Sequence, residues 1–211
     1  MGFYPLFLEL AGRACVVIGG GAVAERKVEG LLQVGATVTV ISPALTARLE
    51  EWVKEGRTRH VGREYVVGDL AGSQLAFVAT DDGEVNAAVS REGRERGVWV
   101  NAADDPAHCD FILPSILRRG DLVIAVGTGG SSPALSRAVR EELDAYFTED
   151  YAVLAEVVAE VRRELRERGR LPGGEAWRQA LDGDLRRLIA DGRRQEAKSH
   201  LLLRLRAGVC G

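Results

Sequence analysis

An α/β protein, with a parallel sheet in its first half and helices alone at its C-terminal end, is the architecture this sequence predicts. Three observations carry the prediction. Short apolar runs alternate with helix-length segments from Ala14 to about residue 101. The runs are nearly continuous in Val, Ile, Leu and Phe rather than alternating with polar residues, as strands buried on both faces are. From Tyr151 onward the strand pattern disappears, and the remainder reads as helix.

The elements follow in order. "ACVVI" (14–18), "TVTVI" (37–41), "LAFVA" (75–79) and "VWVN" (98–101) are the strands, and segments at about 22–34, 44–55 and 83–96 are the helices between them. Strand-helix repetition of this kind gives a parallel sheet with helices on both sides. After about residue 110, "FILPSILRRGDLVIAV" holds two apolar segments around an Arg-Arg-Gly-Asp turn. With no crossover helix, they are antiparallel neighbours or extensions of the sheet. "GTGGSSPALSRAVREEL" then turns into a helix, with Ser132 as N-cap and Pro133 at the first helical position. "YAVLAEVVAEVRRELRER" and "EAWRQALDGDLRRLIADG" complete the helical part, separated by "GRLPGG" at 169–174. The chain thus divides into a sheet domain at 1–113, a connecting segment at 114–147 and a helical domain at 148–211.

Composition narrows the function. A formal net charge of −3 over 211 residues carries no nucleic-acid signature. The C-terminal part is nevertheless basic, with 13 Arg and Lys against 9 Asp and Glu in residues 151–211. That suits either a solvated helical surface or an acidic small molecule. Cys15, Cys109 and Cys210 are odd in number and form no CxxC pair, so neither a disulfide framework nor a structural zinc site is expected. "MGFYPLFLEL" lacks the basic start and long apolar run of a signal peptide, Leu6 breaks the myristoylation pattern, and no run is long enough to span a membrane. A reduced, cytoplasmic protein is expected.

The first turn carries the most chemistry. Gly19, Gly21 and Ala24 match G-x-G-x-x-A directly after a strand and at the opening of a helix, the setting of a Rossmann-like dinucleotide site. Gly19 permits the tight turn, Gly21 admits a pyrophosphate to the backbone, and Ala24 lets helix pack on strand. The helix N-terminus favours the phosphate charge. The acid usually found at the end of the second strand is absent, because positions 41–44 are Ile, Ser, Pro and Ala. Ser42 can bond a ribose hydroxyl, with backbone near Pro43 and Ala44 doing the rest. No Arg follows to receive a 2′-phosphate, so NAD is favoured over NADP by absence rather than by a positive contact.

Three further clusters lie where strands end. "ATDDGEVN" (79–86) places Thr80, Asp81 and Asn86 beside the nicotinamide half, or else Asp81 or Asp82 as a helix cap. "VNAADDPAHCDFILPS" (100–115) gathers Asn101, Asp104, Asp105, His108 and Cys109. An Asp there can serve as a general base, whereas the spacing is too irregular to assign a metal site. "GTGGSSPAL" (127–135) is a second glycine-rich turn into a helix, either an anion nest for substrate with Thr128, Ser131 and Ser132, to which Arg137 adds charge, or a plain capped turn. With Asn101, these are the candidate substrate contacts.

The order of these motifs resembles the precorrin-2 dehydrogenase family, the N-terminal module of siroheme synthase and its free-standing relatives. The resemblance covers about residues 3–150, and the methyltransferase domain fused to this module in some relatives is expected to be absent. It implies NAD-dependent oxidation of precorrin-2 to sirohydrochlorin, with ferrous iron as a further substrate in those members that make siroheme. It implies a homodimer in which 114–147 is the dimerisation segment, and neither nucleic acid nor membrane as partner. The family's key aspartate maps onto Asp104, and its cofactor contacts onto Ala22, Val23, Pro43 and Ala44. The alternative from the residues alone is a nicotinamide-binding, redox-sensing module without turnover. That would leave the Asn101–Asp104 cluster and the second glycine turn unexplained.

Overall fold

The computed structural model describes residues 2–103 and 105–207. Asp104 and Cys210 lie outside the described residues. The chain forms two compact units, Met1–Ile112 and Leu113–Gly211.

The first unit is an α/β sheet domain. Five parallel strands, β1 (Ala14–Ile18), β2 (Thr37–Ile41), β3 (Thr58–Val61), β4 (Leu75–Val78) and β5 (Trp99–Ala102), lie in the order β3-β2-β1-β4-β5. Helices α1 (Ala22–Gln33), α2 (Ala47–Lys54) and α3 (Gly83–Arg96) connect them. Strand side chains alternate in direction, so each strand feeds two cores. Cys15, Val17, Val38, Val40, Leu75 and Phe77 pack against Val28 and Leu31 of α1 and Leu49 and Trp52 of α2. Val16, Ile18, Ile41, Ala76, Val78 and Val100 pack with Leu70 and with Val89 of α3. Burying one such side chain is worth about 1.5–3 kcal/mol, and covering both faces requires apolar residues at successive positions. This is why these strands read as continuous runs.

The structure adds one element, corrects one boundary and decides between two alternatives. The edge strand β3, "TRHV", was not expected; it pairs only with β2 and exposes Arg59 and His60, so it carries little apolar signal. Helix α2 begins at Ala47 rather than near 44, because Thr46 caps it by accepting a hydrogen bond from the Leu49 N–H. The two apolar segments after residue 113 do not extend the sheet. They form a separate antiparallel pair, β6 (Ser115–Arg119) and β7 (Leu122–Val126).

In the second unit α4 (Pro133–Tyr146) packs against β6 and β7. Its N-cap is Ser132 and its first residue Pro133, as expected. Helices α5 (Asp150–Glu167), α6 (Gly174–Ala180), α7 (Gly183–Ala190) and α8 (Arg194–Ala207) enclose a separate core. Val157, Val161 and Leu165 form one stripe of α5 at i, i+4, i+8 and meet Leu185, Ile189, Leu201 and Leu205. The stretch read as one helix after Gly174 is two, because Asp182 caps α7 by accepting from the Leu185 N–H at 2.9 Å. The Asp182 carboxylate also meets His200 Nε2 at 3.1 Å, which ties the α7 cap to α8.

A buried acid organises the crossing from β3 to β4. Glu92 on α3 is 2% exposed. It accepts from the Tyr65 hydroxyl at 2.5 Å, the Gly68 N–H at 3.0 Å and the Leu70 N–H at 3.3 Å, and pairs with Arg96 at 2.6 Å. Burial alone would raise its pKa, but these donors together hold it below the usual carboxylate range. Stability from this group is therefore present above the ordinary carboxylate pKa and is lost as pH falls through the depressed folded value. Replacing Glu92 by Ala strands three donors and is expected to cost about 3 kcal/mol of unfolding free energy. Denaturant titration of Glu92→Ala and the wild type at neutral pH, and again in acid, checks this: the gap between them should narrow as the wild-type carboxylate protonates.

Candidate functional site

The order β3-β2-β1-β4-β5 places a topological switch between β1 and β4. Ligands of open parallel sheets bind outside the strand carboxyl ends at such a point. The carboxyl ends of β1, β2, β4 and β5 lie on that side, with Gly19–Gly21 and the start of α1 at Ala22–Ala24, Ser42–Ala44 after β2, Thr80 and Asp81 after β4, and Asn101 near the end of β5.

The glycine turn divides its labour differently from the sequence expectation. Gly19 has φ 113°, a left-handed value, and a Cβ there would lie 2.3 Å from the Ala79 carbonyl oxygen at the end of β4. A Cβ on Gly20 would lie 1.9 Å from the Ala44 oxygen and 2.8 Å from Ser42 Oγ. Both positions exclude any larger residue. Gly21 is extended, and a Cβ there would meet nothing within 4 Å. Gly21 therefore opens onto free space, and as N-cap of α1 it offers no side chain to the first helical N–H groups. Those donors and the positive end of the helix dipole suit a pyrophosphate. Ala22 is exposed, Val23 half-buried, and Ala24 fully buried under the helix, as close packing on the strand requires. Gly20 was missed, although it is the middle glycine of "IGGGA" and that run was its signal.

The loop after β2 is braced from inside. The Ser42 hydroxyl donates to the Ala44 oxygen at 2.8 Å, and His60 Nε2 lies 2.9 Å from the Ser42 oxygen. The hydroxyl proton expected for a ribose is thus engaged within the loop, and Pro43 and Ala44 are the exposed residues. The Thr46 N–H donates to the Gly20 oxygen at 2.9 Å, and its hydroxyl donates to Glu25 Oε2 on α1 at 2.6 Å. Glu25 and Thr46 consequently lock the β2 loop onto the glycine turn. Neither was singled out from the sequence, because the two are 21 residues apart.

At the end of β4, Asp82 rather than Asp81 caps α3, accepting from the Glu84 and Val85 N–H groups at 2.8 and 3.2 Å. Thr80 Oγ1 accepts from the Asp82 N–H at 3.2 Å, and Asp81 is exposed. After β5 the chain folds back on itself. Asn101 is 8% exposed and donates to the Phe111 oxygen at 2.9 Å, so its amide braces the loop. The Cys109 thiol accepts from the Ala102 N–H at 3.2 Å and lies 3.1 Å from the Ala102 oxygen; burial raises its pKa. Asp110 accepts from the Val100 N–H at 2.8 Å. Within this closed loop His108 Nδ1 lies 2.7 Å from Asp105 Oδ2. That bond, more than any other influence, lowers the Asp105 pKa. Asn86 on α3 reaches the same oxygen at 3.4 Å. Among the described residues no group of three or more His, Cys, Asp and Glu could hold a metal ion.

The expected substrate contacts of the second glycine turn belong to the other unit, and their hydroxyls serve the α4 cap. Thr128 Oγ1 donates to the Ser132 oxygen at 3.0 Å, Ser131 Oγ donates to the Thr128 oxygen at 2.6 Å, and Ser132 Oγ accepts from the Leu135 N–H at 3.1 Å. Arg137 is exposed on α4.

Comparison with known proteins agrees with this arrangement. A family described as NAD(P)-binding matches residues 6–115, and one described as sirohaem biosynthesis protein central matches residues 119–146. A siroheme synthase of Methylobacillus flagellatus is 38% identical over 208 residues, which is 97% of this chain and 44% of the relative. A siroheme synthase of Nitrosococcus oceani is 37% identical over 212 residues, 99% of this chain and 45% of the relative. The chain thus spans less than half the length of these curated relatives. Among solved structures, "SirC, precorrin-2 dehydrogenase" superposes with a TM-score of 0.78 at 28% identity, covering 94% of this chain and 98% of that one.

If Thr46 couples the α2 cap to the glycine turn, Thr46→Ala loses about 1 kcal/mol of stability and, through the loosened loop, several-fold in dinucleotide affinity. Thermal unfolding together with calorimetric titration of NAD measures both. An unchanged affinity would leave Thr46 as a helix cap alone.

Proposed function

The chain belongs to the NAD(P)-binding family that matches its first unit, and from that premise we propose that it is an NAD-dependent precorrin-2 dehydrogenase that forms sirohydrochlorin for siroheme synthesis. The observation that carries this reading is the glycine cradle at the switch point, closed by Ala44 and Ala79 and open at Gly21. It fits a dinucleotide, since Gly19 and Gly20 let the turn close on Ala79 and Ala44 while Gly21 leaves the N–H groups that open α1 uncovered. A match to the sirohaem central family directly after it supports the tetrapyrrole as substrate, as does the likeness to a precorrin-2 dehydrogenase over nearly the whole of both chains.

NAD, when bound, supplies the acceptor for a hydride. The protein's part is to hold the two reactants in register and to manage the proton. The N–H groups opening α1 take the pyrophosphate, and the β2 loop at Pro43 and Ala44 borders the adenosine side. The ends of β4 and β5, with Thr80, Asp81 and Asn101, border the nicotinamide side. Asp104 is the carboxylate assigned to accept the proton that leaves. Thr128, Ser131, Ser132 and Arg137 offer a polar helix N-terminus and a cation to a substrate rich in carboxylates. The resemblance further supports a homodimer through residues 114–147, ferrous iron as a second substrate, and a cytoplasmic setting. No described helix is long and apolar enough to cross a membrane.

The test is anaerobic incubation of the protein with precorrin-2 and NAD, following NADH and the tetrapyrrole spectrum, then addition of Fe²⁺. NADH with accumulating sirohydrochlorin is expected. A further change to siroheme above the spontaneous rate supports iron insertion. Bound NAD without NADH would overturn the enzyme reading in favour of a sensor. Asp104→Ala is expected to reduce turnover by about 100-fold or more while leaving NAD affinity unchanged; wild-type turnover in that variant would remove Asp104 from the mechanism.

A further inference from the structure

The β2 loop lacks the acid that commonly holds a dinucleotide ribose, yet it borders a groove that contains one. Pro43, Ala44 and Leu45 of the loop, Glu50 and Lys54 of α2 and His60 of β3 line this groove, which encloses about 380 Å³. Among the described residues that line it, Glu50 is the one acid, and none is an arginine. The His60 Nε2–H is committed elsewhere, since it donates to the Ser42 oxygen at 2.9 Å. Lys54 Nζ lies 3.7 Å from Glu50 Oε2, with side-chain exposures of 79% and 55%. A pair so exposed is weak and does not cancel the carboxylate. Glu50 also sits in the first turn of α2, where it answers the positive end of the helix, whereas Lys54 sits in the last turn.

In dinucleotide-binding sheets the ribose hydroxyls lie at the end of the second strand, where an acid holds the 2′-hydroxyl of NAD or an arginine receives the 2′-phosphate of NADP. Here β2 ends at Ile41, and the Ser42 hydroxyl that follows is turned onto the Ala44 oxygen. A 2′ substituent at this strand end therefore meets the exposed Pro43 and Ala44 and the groove beside them. The groove is many times larger than the roughly 30 Å³ of one water, so shape alone does not keep a phosphate out. Charge distinguishes the two cofactors: NAD brings a neutral hydroxyl to this edge, and NADP brings a phosphate with close to two negative charges. Resting on the reading that places NAD at the switch point, we propose that Glu50 is the residue that selects NAD over NADP. Its carboxylate, supplied from α2, takes the discriminating part of the acid missing from the end of β2. With no arginine lining the groove and the positive end of α2 already answered by Glu50, a 2′-phosphate meets repulsion that nothing there offsets.

The experiment measures the affinity of the full chain for NAD and for NADP by calorimetric titration, in the wild type, Glu50→Gln, Glu50→Lys and Glu51→Gln. Glu51 is the next residue of α2, but it pairs with Arg48 and does not line the groove, so its variant controls for net charge. The wild type is expected to favour NAD. Glu50→Gln should strengthen NADP binding about tenfold and leave NAD within about twofold, Glu50→Lys should strengthen NADP further, and Glu51→Gln should change neither. Added salt should narrow the wild-type preference, because an exposed carboxylate is screened. Thermal unfolding of each variant separates a damaged fold from an altered preference. Equal affinity of the wild type for both dinucleotides, an unmoved preference in both Glu50 variants, or an equal shift in Glu51→Gln would overturn the assignment. If the wild type binds neither dinucleotide, the cofactor reading itself falls; NAD bound with an unmoved preference removes Glu50 alone.

Discussion

The close approach of the first glycine turn to the ends of two other strands is the constraint on which the rest of the first unit depends. Gly19 sits against the backbone of Ala79 and Gly20 against that of Ala44. No side chain fits between them, so β1, β2 and β4 end at one place. The open edge of that junction is Gly21 and the first turn of α1. A dinucleotide pyrophosphate needs donors and a positive potential at such an edge, and backbone alone supplies both.

Side chains around this junction act mostly as braces. Ser42, Thr46 and Glu25 hold the β2 loop; Asp82 and Thr80 shape the start of α3; Asn101, Cys109 and Asp110 fold the β5 loop back on its strand. Most of them satisfy a backbone group of a loop or helix end, and Glu25 does so indirectly by holding the Thr46 hydroxyl. Polar residues at strand ends are therefore not all ligands. Once the bracing groups are set aside, Glu50 remains as the acid lining the groove beside Pro43 and Ala44.

The second unit obeys a different logic. Its hairpin and α4 carry a hydroxyl-rich turn whose groups bond one another, and its last four helices close an apolar core of their own. The basic composition of residues 151–211 is largely exposed and largely paired, as in Arg178 with Glu175 and Arg193 with Glu196. Exposed pairs of this kind contribute little to stability, so that surface charge is better read as solvation than as architecture.

How much was legible beforehand follows from the range of the forces involved. Strands β1, β2, β4 and β5, helices α1, α3 and α5, and the Ser132 cap of α4 could be read from the sequence, because burial on two faces, helical periodicity and capping are properties of neighbouring residues. The G-x-G-x-x-A turn was legible for the same reason. The edge strand β3, the start of α2, the role of Gly20 and the inward use of the Ser42 hydroxyl were not, and the choice between hairpin and sheet extension, or between capped turn and anion nest, stayed open. Each depends on what the chain brings alongside from elsewhere: β2 beside β3, Gly20 against Ala44, Glu25 to Thr46. By itself the sequence determined the kind of sheet and the presence of a dinucleotide turn. Only the tertiary structure decided which polar groups are committed to bracing and which are left to act, since hydrogen-bond partners distant in the chain are chosen by packing and not by local pattern.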